Sequence, residues 1–259
     1  MQAARPDASE SSGNPAAVPA DNVVILTGGL TGSSALAGLL TAAGYWCGED
    51  TFRKSDYNTY ENSDLIQLNR RLMQRVGVAE KEYTMAFQPE AIRRIEALRG
   101  VEDDADFRAM IARCESHAPW VWKDPRLWLT VRFWAPLLDW SRIRVLLLRR
   151  DPVQAWISTT QRRQIQTYRY QKAYNDAIQA SLREFLGSNG IRHLSVLFED
   201  LIVTPEREVE RLSGFLGHPV TMEHFRSSYE GDFYRKPKTL RDGAEAALIY
   251  LKNYRERLR

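Results

Sequence analysis

The apolar positions of this chain fall into short unbroken runs and helical stripes, in alternation. Val23-Val24-Ile25-Leu26 and Ile143-Arg144-Val145-Leu146-Leu147-Leu148 are nearly continuous apolar runs of strand length. Runs of that kind mark strands covered on both faces, as in a parallel sheet. Trp120-Val121-Trp122 and Ile191 to Phe198 have the same character, with His193 inside the second as a structural residue. Between them the period changes to that of helices. Leu36, Leu39 and Leu40 form one stripe, and Leu65, Leu68, Leu72 and Met73 form another, entered through Asn58 to Glu61. Helices are also expected over Gln88 to Leu98, Asp103 to Cys114, Leu127 to Leu138, and from Val153 onward. Three more are expected, from about Tyr170 to Leu186, from Thr204-Pro205 to a stop at Gly217, and from Ala244 to Leu258. Strands alternating with helices predict an α/β fold. The expected architecture is P-loop-like and three-layered (α/β/α), with a mostly parallel sheet of about three to five strands. The helices between the first strand and Trp120 form an inserted helical region.

The strand ends carry the informative chemistry. After Leu26 the chain reads Thr27-Gly28-Gly29-Leu30-Thr31-Gly32-Ser33-Ser34 and then turns helical. Strand, glycine loop and helix in that order can cradle a phosphate, because glycines allow close backbone approach and the first helical turn has free N–H groups. An ordinary βα turn is the plainer alternative. An ATPase-type loop would carry lysine after its last glycine, where this chain has Ser33. After Leu148 come Arg149-Arg150-Asp151-Pro152, and after Trp122 come Lys123-Asp124-Pro125-Arg126. Asp is a good N-cap and Pro a good first helical residue. Each segment therefore sets basic residues where a strand gives way to a helix, the place where ligands bind in open α/β sheets. Arg150 and Ser158 are suited to a phosphate there. Further on, Tyr168, Tyr170 and Tyr174 alternate with Arg162, Arg163, Arg169 and Lys172, a mixture suited either to holding a nucleotide or sugar or to the outer face of a helix.

Composition narrows the classes. At 259 residues the chain can bury a sizeable core, and residues 22–259 are expected to form one unit behind a disordered Ala-, Pro- and Ser-rich leader, residues 1–21. The formal charge of +3 is too small to argue for nucleic acid. Two cysteines, Cys47 and Cys114, make no disulfide scaffold, and the four dispersed histidines make no zinc pattern. No apolar run approaches the roughly 18 residues of a membrane span. With no signal-peptide core, a cytoplasmic location is expected. Nothing in the sequence decides the oligomeric state.

Together these segments resemble the sulfotransferases that use 3'-phosphoadenosine 5'-phosphosulfate (PAPS). Arg150-Asp151-Pro152 with Ser158 keeps the family's spacing of a strand-end arginine and a serine eight residues later, which bind the 3'-phosphate. Leu197-Phe198-Glu199-Asp200-Leu201, running on to Phe215-Leu216-Gly217, is similar to another family segment. Lys123-Asp124-Pro125-Arg126-Leu127 resembles a motif of bacterial and carbohydrate-type members. The loop from Gly28 to Ser34 is similar to the 5'-phosphosulfate loop. The resemblance implies PAPS as donor and a small-molecule or carbohydrate hydroxyl as acceptor. It implies cofactor contacts from Gly28, Gly29, Gly32, Ser33, Ser34, Arg126, Arg150 and Ser158, and from Arg235 and Lys236 in a basic C-terminal loop. The family's loop usually carries a basic residue where this chain has Leu30-Thr31, so Lys123, Arg126 or the tail pair must supply that charge. Lys123 is the first choice for stabilising the transferring group. For the base that accepts the hydroxyl proton, Cys47-Gly48-Glu49-Asp50-Thr51 resembles a tyrosylprotein sulfotransferase segment, which implies Asp50 with Glu49 beside it. Glu61, in a Tyr-Glu-Asn segment, is the rival. The alternatives are a P-loop small-molecule kinase using ATP, or a nucleotide-binding protein without catalysis.

Overall fold

The computed structural model describes residues 21–54, 57–79, 86–228 and 237–256. Most of the leader, and the tail residues Arg235 and Lys236, lie outside them. Strand β1 (Asn22–Leu26) leads into helix α1 (Ser33–Ala42). A hairpin of β2 (Thr51–Arg53) and β3 (Asn58–Asn62) follows, then helices α2 (Ser63–Arg75), α3 (Pro89–Ala97) and α4 (Ala105–Glu115). Strand β4 (Val121–Lys123) feeds α5 (Leu127–Trp134), and β5 (Ile143–Arg149) feeds α6 (Pro152–Gln161) and the long α7 (Tyr168–Ser188). The chain ends with β6 (His193–Leu197), α8 (Phe198–Val203), α9 (Pro205–Leu216), α10 (Met222–Ser228) and α11 (Leu240–Lys252).

Four strands form a parallel sheet in the order β4-β1-β5-β6. The expected strand count and orientation both hold. Val24 sits opposite Trp122 on one side and Val145 on the other, and Leu146 sits between Ile25 and Leu194. Successive residues of a strand face opposite ways. Val24, Leu26, Trp122, Val145 and Leu147 accordingly enter one core with α2, α4, α5 and α7, while Val23, Ile25, Val121, Leu146 and Val196 enter a second with α1, α9 and α10. Helices on both faces explain why β1 and β5 read as apolar runs with no alternation.

Trp120, Trp122, Trp128 and Trp134 are all buried in the first core, each removing on the order of 200 Å² from water. Their indole N–H groups find partners where the structure records them: Trp120 donates to Glu115, Trp122 to Cys114 Sγ and Trp134 to Asn69. This wall stands directly behind Lys123, the last residue of β4.

Asn58 to Glu61 leads into a helix, α2, as expected, and itself forms the second arm of a small antiparallel hairpin that the sequence reading did not contain. One stretch differs from the sequence reading. The last helix starts at Leu240, four residues before Ala244, because Thr239 and Asp242 form a reciprocal capping box. No helix among the described residues is long and apolar enough to cross a membrane.

Candidate functional site

A cleft of about 350 Å³ opens beyond the carboxyl ends of β4, β1 and β5. Its lining includes Gly29 to Ser34, Glu61, Lys123, Arg126, Arg150 and Ser158, so most of the residues singled out from sequence meet in one place. Gly28 lines an adjoining cavity with Thr31, Arg150 and Arg183. Glu49 and Asp50 are exposed and outside the cleft lining. None of the tryptophans lines it.

The loop after β1 is closed on itself by Thr27 and Thr31, whose hydroxyls lie 2.5 Å apart. Leu30 and Gly32 both have left-handed backbone angles, φ 58 and 85°. Gly32 is required there on two counts, since a Cβ would also overlap the ring of Phe198. Gly32 is the N-cap of α1, with no side-chain capping bond and no acidic residue in the first turn. The N-terminus of α6 is different: Asp151 accepts from the N–H groups of Val153 and Gln154. The positive end of α1 is thus left open toward the cleft, and that of α6 is already neutralised.

Lys123 is brought to the loop by the register of β4 against β1. Its Nζ lies 2.5 Å from Glu61 Oε1 and 3.3 Å from Ser34 Oγ. Lys123 and Glu61 are 3% and 8% exposed, so this is a buried ion pair at the mouth of the loop. Glu61 reaches it because the hairpin folds back onto α1 and β4, with Thr59 Oγ1 donating to Phe52 O at 2.7 Å to hold the turn. Arg126 Nη1 lies 4.0 Å from Glu61 Oε2 and 2.9 Å from Asp124 Oδ1. Asp124 is held by Asn69 at 2.8 Å, and Asn69 in turn accepts from Thr130 and Trp134. A fully buried polar chain therefore fixes the Asp-Pro-Arg turn from behind. Asn69 escaped the sequence reading because it appears there as one polar residue inside a helical stripe.

At the end of β5, Arg150 donates to Leu30 O at 3.2 Å, and its Nε lies 3.4 Å from Glu199 Oε1. Its guanidinium lies over Phe198 at 5.0 Å. Burial pulls its pKa below the ordinary arginine value, and Glu199 opposes that shift. Glu199 also accepts from the Asp151 N–H at 3.0 Å, which joins the Glu-Asp-Leu segment to the Arg-Asp-Pro segment. Lys54, Tyr57, Arg70, Arg162 and Gln164 add to the polar lining. Of these only Arg162 drew notice in the sequence, as one of a basic group. The histidines stay away from the cleft: His193 Nδ1 lies 3.2 Å from Ile191 O, and His218 Nε2 lies 2.8 Å from Ala43 O.

An open helix N-terminus beside a buried lysine–glutamate pair, with an arginine at the next strand end, makes an anion-binding cleft at the carboxyl ends of a parallel sheet. The comparisons agree. The sulfotransferase family matches residues 23–222, and the chain belongs to that family. Among solved structures, the chain is similar to the sulfotransferase domain from the Synechococcus PCC 7002 olefin synthase. That match is 17% identical, covers 90% of this chain and 95% of the other, and has a TM-score of 0.53. The sulfotransferase domain from the curacin biosynthetic pathway matches at 16% identity over 88% and 83%, with a TM-score of 0.51. At these identities the likeness establishes the fold. No curated protein matches in sequence. Family membership supports sulfuryl transfer as the general activity.

Proposed function

We propose that this protein moves a sulfuryl group from PAPS to a hydroxyl of a small-molecule or carbohydrate acceptor. The observation that carries the reading is the buried Lys123–Glu61 pair set against Ser34, beside the uncapped N-terminus of α1. The donor set suits a nucleotide with phosphates at both ends. In this reading the Gly28 to Ser34 loop is P-loop-like. Gly28, Gly29, Gly32, Ser33 and Ser34 hold the 5'-phosphosulfate through backbone N–H groups and hydroxyls. Arg150 and Ser158 hold the 3'-phosphate, and Arg126 lines the same cleft next to Glu61. Arg235 and Lys236 complete the proposed set, and residues 22–259 the proposed unit. When bound, PAPS supplies an activated sulfuryl group on a phosphate leaving group.

Lys123 Nζ is the charge proposed to take the place of the basic residue missing at Leu30-Thr31. Preorganised positive charge at a developing anion is the largest single source of rate in such sites. The Glu61 carboxylate is the proposed acceptor of the hydroxyl proton. It is the one carboxylate among the described residues lining the cleft, and Glu49 and Asp50 rank behind it because they face solvent. The first test is calorimetric titration with 3'-phosphoadenosine 5'-phosphate (PAP), ATP and adenosine 5'-phosphate (AMP). Low-micromolar binding of PAP over the other two is expected, lost in Arg150→Ala. A preference for ATP would sink the proposal and favour the kinase alternative. PAP binding with no transfer to any acceptor would leave a nucleotide-binding protein.

A further inference from the structure

The end of the cleft at Arg150 and Ser158 is short of charge if those two residues act alone. Arg150 sits in an ion pair with Glu199, 3.4 Å away, and donates one N–H to Leu30 O at 3.2 Å. The Arg150–Glu199 pair holds the loop in place and presents little net charge to a ligand. A phosphate monoester carries about 1.5 to 2 negative charges near neutral pH. Arg235 and Lys236 lie outside the described residues, and among the described ones a further cation would supply the missing charge.

Arg162 lies one helical turn beyond Ser158, at the C-cap of α6, and lines the same cleft. No carboxylate among the described residues pairs with it. Its Nη1 lies 3.4 Å from Tyr57 Oη, a long hydrogen bond across to the β2–β3 hairpin. Lys54 Nζ sits 5.3 Å from the centre of the same ring. Burial raises the Tyr57 phenol pKa, but bonds to Lys54 and Arg162 and their charges outweigh it and bring it below its ordinary value. Burial lowers the Arg150 pKa, and the charge of Arg162 adds to that effect. Like charges gathered in one cleft are the electrostatic layout of an anion seat.

Resting on the reading that the cleft binds PAPS, we propose that Arg162 is a further 3'-phosphate-binding residue and that Tyr57 is the positioning residue that holds it. The arrangement ties the nucleotide end of the cleft to the hairpin carrying Glu61, because Tyr57 and Glu61 lie on the same short hairpin.

The test is calorimetry on the full chain with PAP and AMP, which differ at the 3'-phosphate. Arg162→Met is expected to weaken PAP binding about 10- to 100-fold, the scale of a charge-assisted bond, and to leave AMP unchanged. Arg162→Lys is expected to recover part of the loss. Tyr57→Phe is expected to weaken PAP about two- to fivefold with AMP unchanged, and to have no further effect in the Arg162→Met background. Additive losses would instead make Tyr57 an independent contact and overturn the positioning role. Wild-type PAP affinity in Arg162→Met, or equal losses for PAP and AMP, would overturn the assignment of Arg162. A wild-type protein that does not prefer PAP to AMP fails differently, because it removes the PAPS reading itself. Arg162 is exposed at a helix end, so these variants are expected to fold.

Discussion

Replacing Lys123 by Met separates two consequences of the buried pair. The substitution keeps the stem length and removes the charge that lies 2.5 Å from Glu61 and 3.3 Å from Ser34. Breaking a buried ion pair by removing one partner costs about 3–5 kcal/mol, since the other charge is left uncompensated. Arg126, 4.0 Å from the remaining Glu61 oxygen, offsets part of this. At an effective dielectric constant of about 20, a charge pair at that distance is worth about 4 kcal/mol before desolvation. The expected loss is therefore at the lower end, about 3 kcal/mol in urea unfolding. Lys123→Met with Glu61→Gln is expected to recover most of it, because no unpaired charge remains. Activity should behave oppositely. Losing one preorganised donor lowers turnover by about 10² to 10³, and the double variant is expected to be no better than the single. Turnover is read as PAP released from PAPS with a panel of hydroxyl acceptors, and PAP affinity should stay within about tenfold of wild type in both variants. Wild-type turnover in folded Lys123→Met would refute the charge assignment. Equal stability of the single and double variants would refute the claim that the pair is buried and coupled.

Gly32→Ala is expected to cost about 1–2 kcal/mol for its left-handed backbone, and more from overlap with Phe198, with loss of PAP binding. Thermal melts and titration check it. Asp242 is held down to about 2 by the Thr239 backbone N–H, then by the Thr239 hydroxyl, against an ordinary 3.8. Because its folded pKa is the lower one, the capping contribution is complete above about pH 4 and is lost as pH falls toward 2. Amide exchange in α11 should quicken over that window, and Asp242→Asn should flatten the dependence. Burial pushes the Cys114 thiol up to about 11, with Trp122 Nε1 3.2 Å from its sulfur. Mass spectrometry should find Cys114 unlabelled by iodoacetamide at pH 8 in the native protein and labelled in urea. Rapid native labelling would show that the core around Trp122 opens.

The features legible in the sequence are those whose cause is local. An apolar run with no alternation reports burial on both faces, which holds for β1 and β5. Asp151-Pro152 reports a capped helix start because the cap spans only three residues. The hairpin was not legible. Its arms are short and mostly polar, they pair only with each other through an irregular register, and Tyr60 takes a left-handed φ of 56°. No apolar period announces such an element, and the sequence shows of Asn58 to Glu61 only that it leads into a helix, which is α2. The contact of Tyr57 with Arg162, 105 residues away, exists only because α6 and the hairpin meet over the same strand ends.

The same distinction governs the charges. Read along the chain, Lys123, Arg126 and Arg150 are three basic residues awaiting an anion. In the fold each is already matched: Lys123 with Glu61, Arg126 with Asp124, Arg150 with Glu199. These pairs let the cations be buried and oriented before any ligand arrives, which isolated charges could not be. They also mean that counting basic residues overstates the field a ligand meets. The net charge at the Arg150 end depends on cations outside those pairs, and such a cation is recognisable only once its neighbours are known. Arg162 is obscured in a basic stretch of sequence for that reason, and only its place in the cleft, without a carboxylate partner among the described residues, sets it beside Arg150 in the proposed 3'-phosphate seat.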